Sequence, residues 1–258
     1  MDLKLEDKLF VVTGATSGFG KAIALALINE KAKVIVNARG EERLNALKAE
    51  FPDQIEILVG DITTDAIISK LMIMLRNRTL SGMVINASGP PAKSFVKTNI
   101  TDWDQAYESI LRWKVKITKE VLPKFQKQNH GRLVYIESAS VKQPIDNLIL
   151  SNSLRLSVVG FVKSVSREVG SQGITMNIIA PGYHATPAMD RLFVNRSENM
   201  GISPSEARIE FEKEILVGKM GDPNDLASLA TWLLSDYSKY ITGQTITVDG
   251  GLVKSVFS

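Results

Sequence analysis

The chain has no cysteine and only two histidines, His130 and His184. Without thiols neither a disulfide nor a thiolate metal site can form, which favours a reducing compartment. Two imidazoles are too few for a histidine-built metal centre, so no metal is expected. An excess of one charge is also missing: 31 Lys plus Arg stand against 28 Asp plus Glu, a net +3 spread along the chain. That balance provides no basic stripe for nucleic acid. No apolar run is long enough to cross a bilayer, and "MDLKLEDKLF" lacks the apolar heart of a secretory signal. The expectation is a soluble cytoplasmic protein that binds neither nucleic acid nor membrane.

What the chain does have is enough apolar material, 44% of 258 residues, to enclose one large core. Residues 1–258 therefore read as a single domain. Seven β-branched runs stand out as strands: 8–14, 33–38, 55–60, 82–87, 132–138, 174–180 and 244–250. Their interiors are almost continuously apolar, as in a parallel sheet covered on both faces. Segments of helical period lie between them, with start signals at Thr101 and Asp104, Ser203 and Glu206, and Asp222 and Asp225. The alternation predicts an α/β fold: three layers, doubly wound, Rossmann-type, around a seven-stranded parallel sheet. One stretch breaks the rhythm. Residues 187–213 carry no strand and are a candidate substrate lid. Their Met189, Leu192 and Phe193 beside Arg191, Arg196 and Arg208 suit an acyl chain on an acidic carrier, and equally an amphipathic surface helix.

The first strand runs into "TGATSGFG", Thr13 to Gly20, and then into a helical segment. Glycines 14, 18 and 20 at such a turn let the backbone approach a pyrophosphate, which the helix start would bind through free N–H groups. The spacing is GxxxGxG. Five further signals follow in order: "GDIT" after the third strand, "NAS" closing the fourth, Ser138 closing the fifth, "PGYHAT" after the sixth and "ITGQTITVDGG" near the end.

Together these motifs, from about Leu5 to Gly251, resemble the short-chain dehydrogenase/reductase family. The resemblance implies that Gly14, Ser17, Gly18, Phe19 and Gly20 surround the phosphates and adjoining ribose of a nicotinamide dinucleotide. It puts Asp61 and Ile62 beside the adenine, Asn86 and Ala87 along the inner ribose, and Pro181, Gly182 and Thr186 at the nicotinamide carboxamide. At the end of the second strand an acid would select NAD. "VNARGEER" has Ala38 and Arg39 there, and a guanidinium can pair with a 2′-phosphate, so NADP is favoured with NAD as the other choice. Against this, Arg39 could simply solvate its loop with Glu41 and Glu42, and Ser17 stands where NADP enzymes of the family often carry a base.

The family's proton chemistry uses a serine, a tyrosine, a lysine and an asparagine. Ser138 matches the serine. The tyrosine position holds Ser151, the lysine position Arg155, and the asparagine position on the fourth helix Ile110. A serine hydroxyl is too weak an acid to replace a phenol, and an arginine stays protonated. Ser151 and Arg155 lie one helical turn apart, so they share a face. Arg155 is expected to donate to the cofactor ribose, with a water held by Ser151 and Arg155 as proton source. Tyr183 and His184 are substitute donors by position, unless they only shape their loop. Lys114 and Lys142 are weaker candidates whose long side chains would reach solvent, and mid-strand Tyr135 is read as packing. "SGPP" at 88–91 together with the altered positions resembles a divergent subgroup similar to 3-oxoacyl-acyl carrier protein reductases. Two readings follow: an NADP(H)-dependent oxidoreductase acting on a small carbonyl or alcohol, a 3-oxoacyl thioester among them, or a catalytically impaired dinucleotide sensor or scaffold. The resemblance also implies a homotetramer or homodimer, paired through helices near 101–128 and 146–171 and the C-terminal strand.

Overall fold

A computed structural model of the chain describes residues 2–256, apart from the side chains of Arg191, Asn195 and Asn199. The seven strands are β1 (Leu9–Thr13), β2 (Lys33–Ala38), β3 (Ile55–Val59), β4 (Gly82–Ile85), β5 (Gly131–Ile136), β6 (Ile174–Pro181) and β7 (Thr245–Val248). They form one parallel sheet in the order β3-β2-β1-β4-β5-β6-β7, within a residue or two of the runs visible in the sequence. Alternation along β1 assigns its side chains to two cores. Phe10 and Val12 face α1 (Gly18–Asn29), α2 (Glu41–Glu50) and α9 (Pro223–Leu233). Leu9 and Val11 face α3 (Asp65–Leu75), α5 (Trp113–Gln128) and α6 (Ile149–Val169). Helices on both faces are why the strands carry so few polar residues.

The asparagines among the polar exceptions are satisfied where they fall. Buried Asn37 in β2 donates through Nδ2 to Leu58 O at 2.8 Å and Gly60 O at 3.1 Å, and Asn177 in β6 donates to Ile241 O at 2.8 Å.

Reciprocal capping boxes start α8 (Pro204–Lys213) at Ser203 with Glu206, and α9 at Asp222 with Asp225. The start expected at Thr101 is two residues late. α4 (Ile100–Tyr107) is capped by Asn99, whose side chain accepts from Asp102 N while Asp102 accepts from Asn99 N. Both boxes fit "NITDWD", and the earlier one has the further advantage that Asp102 also holds Lys93 at 2.7 Å. Between α4 and α5 the helix widens into a π-turn at Glu108–Arg112.

Residues 187–213 fold as α7 (Pro187–Met200) and α8. Met189, Phe211, Ile215 and Met220 form a small separate core with Tyr183, against which Leu192 and Phe193 pack. Arg196 lies 3.7 Å above the Phe211 ring and 2.9 Å from Glu214. The apolar residues proposed for an acyl chain are thus largely committed to seating the two helices. Arg191 lies outside the described side chains.

Candidate active site

All seven strands point the same way, so the loops after β1, β4, β5 and β6 gather at one edge of the sheet. Successive connections diverge between β1 and β4, and the resulting crevice is the place where such sheets bind ligands. Thr13 stitches the crevice floor. Its buried hydroxyl donates to Asn86 O at 2.7 Å and accepts from Asn86 N at 2.8 Å, tying the ends of β1 and β4 together.

The glycine turn has the shape a phosphate needs. Gly14 is left-handed (φ +62°), and a β-carbon there would stand 2.8 Å from Asn86 Nδ2. At Gly20, inside the first turn of α1, a β-carbon would meet Gly14 O at 2.1 Å, so the turn closes only on glycine. Ser17 occupies the N-cap without capping the helix through its side chain, which leaves the helix-start N–H groups and the hydroxyl for a ligand. Across the crevice, Thr186 approaches Gly18 and His184 meets Phe19 edge-on at 5.0 Å. These contacts bring the loop after β1 against the loop after β6. Pro181 is buried at the end of β6, and Gly182 passes so close to Asp249 that a β-carbon would stand 2.7 Å from its Cβ.

At the positions expected beside an adenine, Asp61 is partly buried and accepts from Thr63 N and Oγ1 at 3.0 and 2.8 Å, while Ile62 is buried. Ala87 packs on the core that Leu9 and Val11 face. Arg39 is exposed at the end of β2 and makes no ion pair with a described residue, Glu41 and Glu42 included. The guanidinium of Arg43 lies against Gly40, putting a second cation beside it. The open glycine turn and the exposed cations give this cradle chemistry that suits a nicotinamide dinucleotide.

The catalytic end departs furthest from expectation. Ser138 Oγ accepts from Ser140 N at 3.1 Å and opens a one-turn helix, Ala139–Val141, on which α6 packs. Ser151 and Arg155 are both buried on α6, with Arg155 Nε donating to Ser151 Oγ at 3.0 Å. Arg155 Nη1 donates to Glu137 Oε2 at 2.8 Å, and the other oxygen of Glu137 takes the ammonium of Lys114. Lys114, expected to reach solvent, is instead 2% exposed. Burial depresses its pKa, Glu137 opposes that shift, and Arg155 adds to it. Beside them Ile110 sits buried in the π-turn, whose Ser109 O accepts from Trp113 Nε1 at 2.8 Å.

Glu137 is the residue that sequence reasoning missed. Its signal was a carboxylate directly after the buried run LVYI, immediately before Ser138. Lys114 carried a similar signal, since it falls on the stripe of Ile110, Ile117 and Val121 that α5 buries.

The substitute donors are occupied elsewhere. Tyr183 OH donates to Glu214 at 3.2 Å, and burial, with Glu214 adding, pushes its pKa up to about 12. His184 Nδ1 lies 3.2 Å from Gly182 O, and its ring is wedged against Gly221, with burial lowering its pKa. Tyr135 is buried and its hydroxyl shares a 2.7 Å hydrogen bond with Thr118. Lys142 follows the one-turn helix after Ser138.

A doubly wound parallel sheet with a glycine-lined phosphate turn at its switch point, and a serine closing the next strand but one, defines a dinucleotide-binding oxidoreductase fold. The chain belongs to the short-chain dehydrogenase/reductase family: residues 14–253 match the family model described as enoyl-(acyl carrier protein) reductase. It is 29% identical to the 3-oxoacyl-[acyl-carrier-protein] reductase FabG of Thermotoga maritima, over 97% of this chain and all of that protein. It is 30% identical to FabG of Haemophilus influenzae with the same coverage. Among solved structures, a variant of actinorhodin polyketide ketoreductase with NADPH superposes with a TM-score of 0.91 at 28% identity, covering 96% of this chain and 98% of that one. Among the described residues no helix is long and apolar enough to cross a membrane, and no cluster of metal-binding side chains occurs.

Proposed function

We propose that the protein is an NADP(H)-dependent oxidoreductase that interconverts a small carbonyl compound and its alcohol, with 3-oxoacyl thioesters among its candidate substrates. The observation that carries this reading is the unpaired Arg39 at the end of β2, with Arg43 beside it and no acid in the position that would select NAD. NADPH in the ketoreductase neighbour supports the same choice.

When bound, the dinucleotide supplies the hydride. Gly14, Ser17, Gly18 and Gly20 hold its phosphates and Phe19 borders them, with Arg39 at the 2′-phosphate, Asp61 and Ile62 at the adenine, and Asn86 and Ala87 at the inner ribose. Pro181, Gly182 and Thr186 fix the nicotinamide end. Ser138 donates to the carbonyl oxygen of the substrate. Arg155 donates to the nicotinamide ribose and supplies fixed positive potential, and Ser151 with Arg155 holds the water that gives up the proton. Residues 187–213 cover the substrate: a cavity of about 280 Å³ lies between Thr186, Met189, Phe193 and Arg208, next to the nicotinamide loop. The protein works in the cytoplasm as a homotetramer or homodimer, a reading supported by exposed Phe95, Val96, Ile100 and Leu156 on and beside α4 and α6.

Parallel titration of the purified protein with NADPH and NADH tests the reading. Micromolar binding with clear preference for NADPH is expected, followed by turnover in a carbonyl screen that Ser138→Ala abolishes. Unchanged turnover in Ser138→Ala would remove the mechanism, and binding of neither nucleotide would remove the function.

A further inference from the structure

Two cations share one carboxylate at the centre of the candidate site. Glu137 is completely enclosed, with Lys114 on one oxygen and Arg155 on the other. Neutralising a buried carboxylate takes one cation, so the second calls for a reason, because each extra buried charge carries a desolvation penalty.

The geometry of the guanidinium provides one. Arg155 uses Nε on Ser151 and Nη1 on Glu137, and these two bonds fix the plane of the group. Nη2 donates to no described residue and faces Gly89, in the loop after β4. An unanchored arginine at 155 would have several rotamers. With Glu137 it has one, but the carboxylate cancels the charge that makes the position useful. Lys114 restores it, so the trio keeps one net positive charge while the guanidinium is held rigid.

We infer that Glu137 and Lys114 are positioning residues for Arg155, forming with it a buried trio that replaces the missing phenol and ammonium by a fixed charge with one free N–H edge. The inference rests on the nucleotide reading above only for what Nη2 meets. Burial lowers the Lys114 pKa, and the charge and hydrogen bond of Glu137 oppose that shift, so the carboxylate that anchors Arg155 also favours the ammonium beside it.

Charge arithmetic makes the idea testable. Glu137→Gln leaves two cations, Lys114→Met leaves none in excess, and the double variant keeps one net positive charge as in the parent. The measurements are melting temperature, NADPH affinity and the Arg155 Nε–H resonance in ¹⁵N-labelled protein, assigned with Arg155→Lys. The expected result is a slowly exchanging Nε–H signal in the parent, lost in Glu137→Gln and in the double variant. NADPH affinity should fall at least about tenfold in both, the loss of one charged hydrogen bond, while the double variant regains most of the melting temperature. If the double variant recovers affinity and resonance along with stability, the trio is charge balance alone and the inference fails. Should Glu137→Gln not fold, the double variant still decides the matter. A parent that shows the anchored resonance but binds no NADPH would overturn the proposed function and leave the trio standing.

Discussion

Gly89 passes beneath the guanidinium of Arg155, so close that a β-carbon at 89 would stand 2.8 Å from Nη2. The two unusual stretches of the sequence, "SGPP" and "SNSLR", therefore meet at one atom. A glycine after Ser88 is what a bulky, immobilised side chain at 155 requires of the loop that covers it.

Substitution at Gly89 should act through Arg155. In Gly89→Ala the guanidinium must move by a few tenths of an ångström, loosening bonds to Ser151 and Glu137 at 3.0 and 2.8 Å. NADPH affinity is expected to fall about fivefold, equivalent to roughly 1 kcal/mol. Gly89 itself is exposed, so the melting temperature should barely change. Calorimetric titration beside a melting curve checks this, and an unchanged affinity would show that Nη2 does not meet the cofactor.

Cofactor choice should reverse at the end of β2. Arg39→Asp replaces a cation that can pair with a 2′-phosphate by an anion that repels it and can accept from ribose hydroxyls. NADPH affinity is expected to drop by roughly 10- to 100-fold, the worth of a charged hydrogen bond, with NADH binding equal or better. Equal losses for both nucleotides would assign Arg39 to the loop and not to the phosphate.

The fold was legible in the sequence because its signals are local. Each strand is a β-branched run between turn residues, and Phe10 and Val12 against Leu9 and Val11 repeat the two-faced pattern within five residues. The glycine turn after β1 was legible for the same reason, since Gly14, Gly18 and Gly20 lie close together in the chain. Glu137 and Lys114 were not, because 23 residues separate partners on a strand end and a helix, and no period links them. The start of α4 was misplaced because overlapping boxes, Asn99 with Asp102 and Thr101 with Asp104, look alike until Lys93 is seen beside Asp102.

Acid should destabilise the protein before its carboxylates titrate. Burial lowers the pKa of both His184 and His130 below the usual 6.5. Between 6.5 and the folded values the unfolded chain binds more protons, so stability is full above 6.5 and is lost as pH falls through that window. Melting curves from about pH 7.5 to 5.5 should show a steady decline. His184→Gln should be less stable at the alkaline end of that range, because the ring fills the space between Phe19 and Gly221, yet should decline less steeply. An identical slope would mean that His184 is not the group being protonated.

Restoring the family's residues at 151 and 155 should not restore ordinary catalysis. Ser151 is 7% exposed, so a tyrosine ring in Ser151→Tyr has to displace packed neighbours, at a cost of about 1–3 kcal/mol. A lysine in Arg155→Lys has one ammonium, whereas Arg155 bonds Ser151 and Glu137 through separate nitrogens. That ammonium would be drawn to Glu137, beside the ammonium of Lys114, and away from the ribose. The double variant is therefore expected to melt several degrees lower, at about 2–4 °C per kcal/mol for a chain of this size, and to bind NADPH more weakly than the parent. Further replacement of Glu137 and Lys114 by uncharged residues should recover part of both losses, because it frees the new lysine. Gain of turnover in the double variant alone would show that Glu137 and Lys114 do not constrain position 155, and that loss of the tyrosine was the only change that mattered.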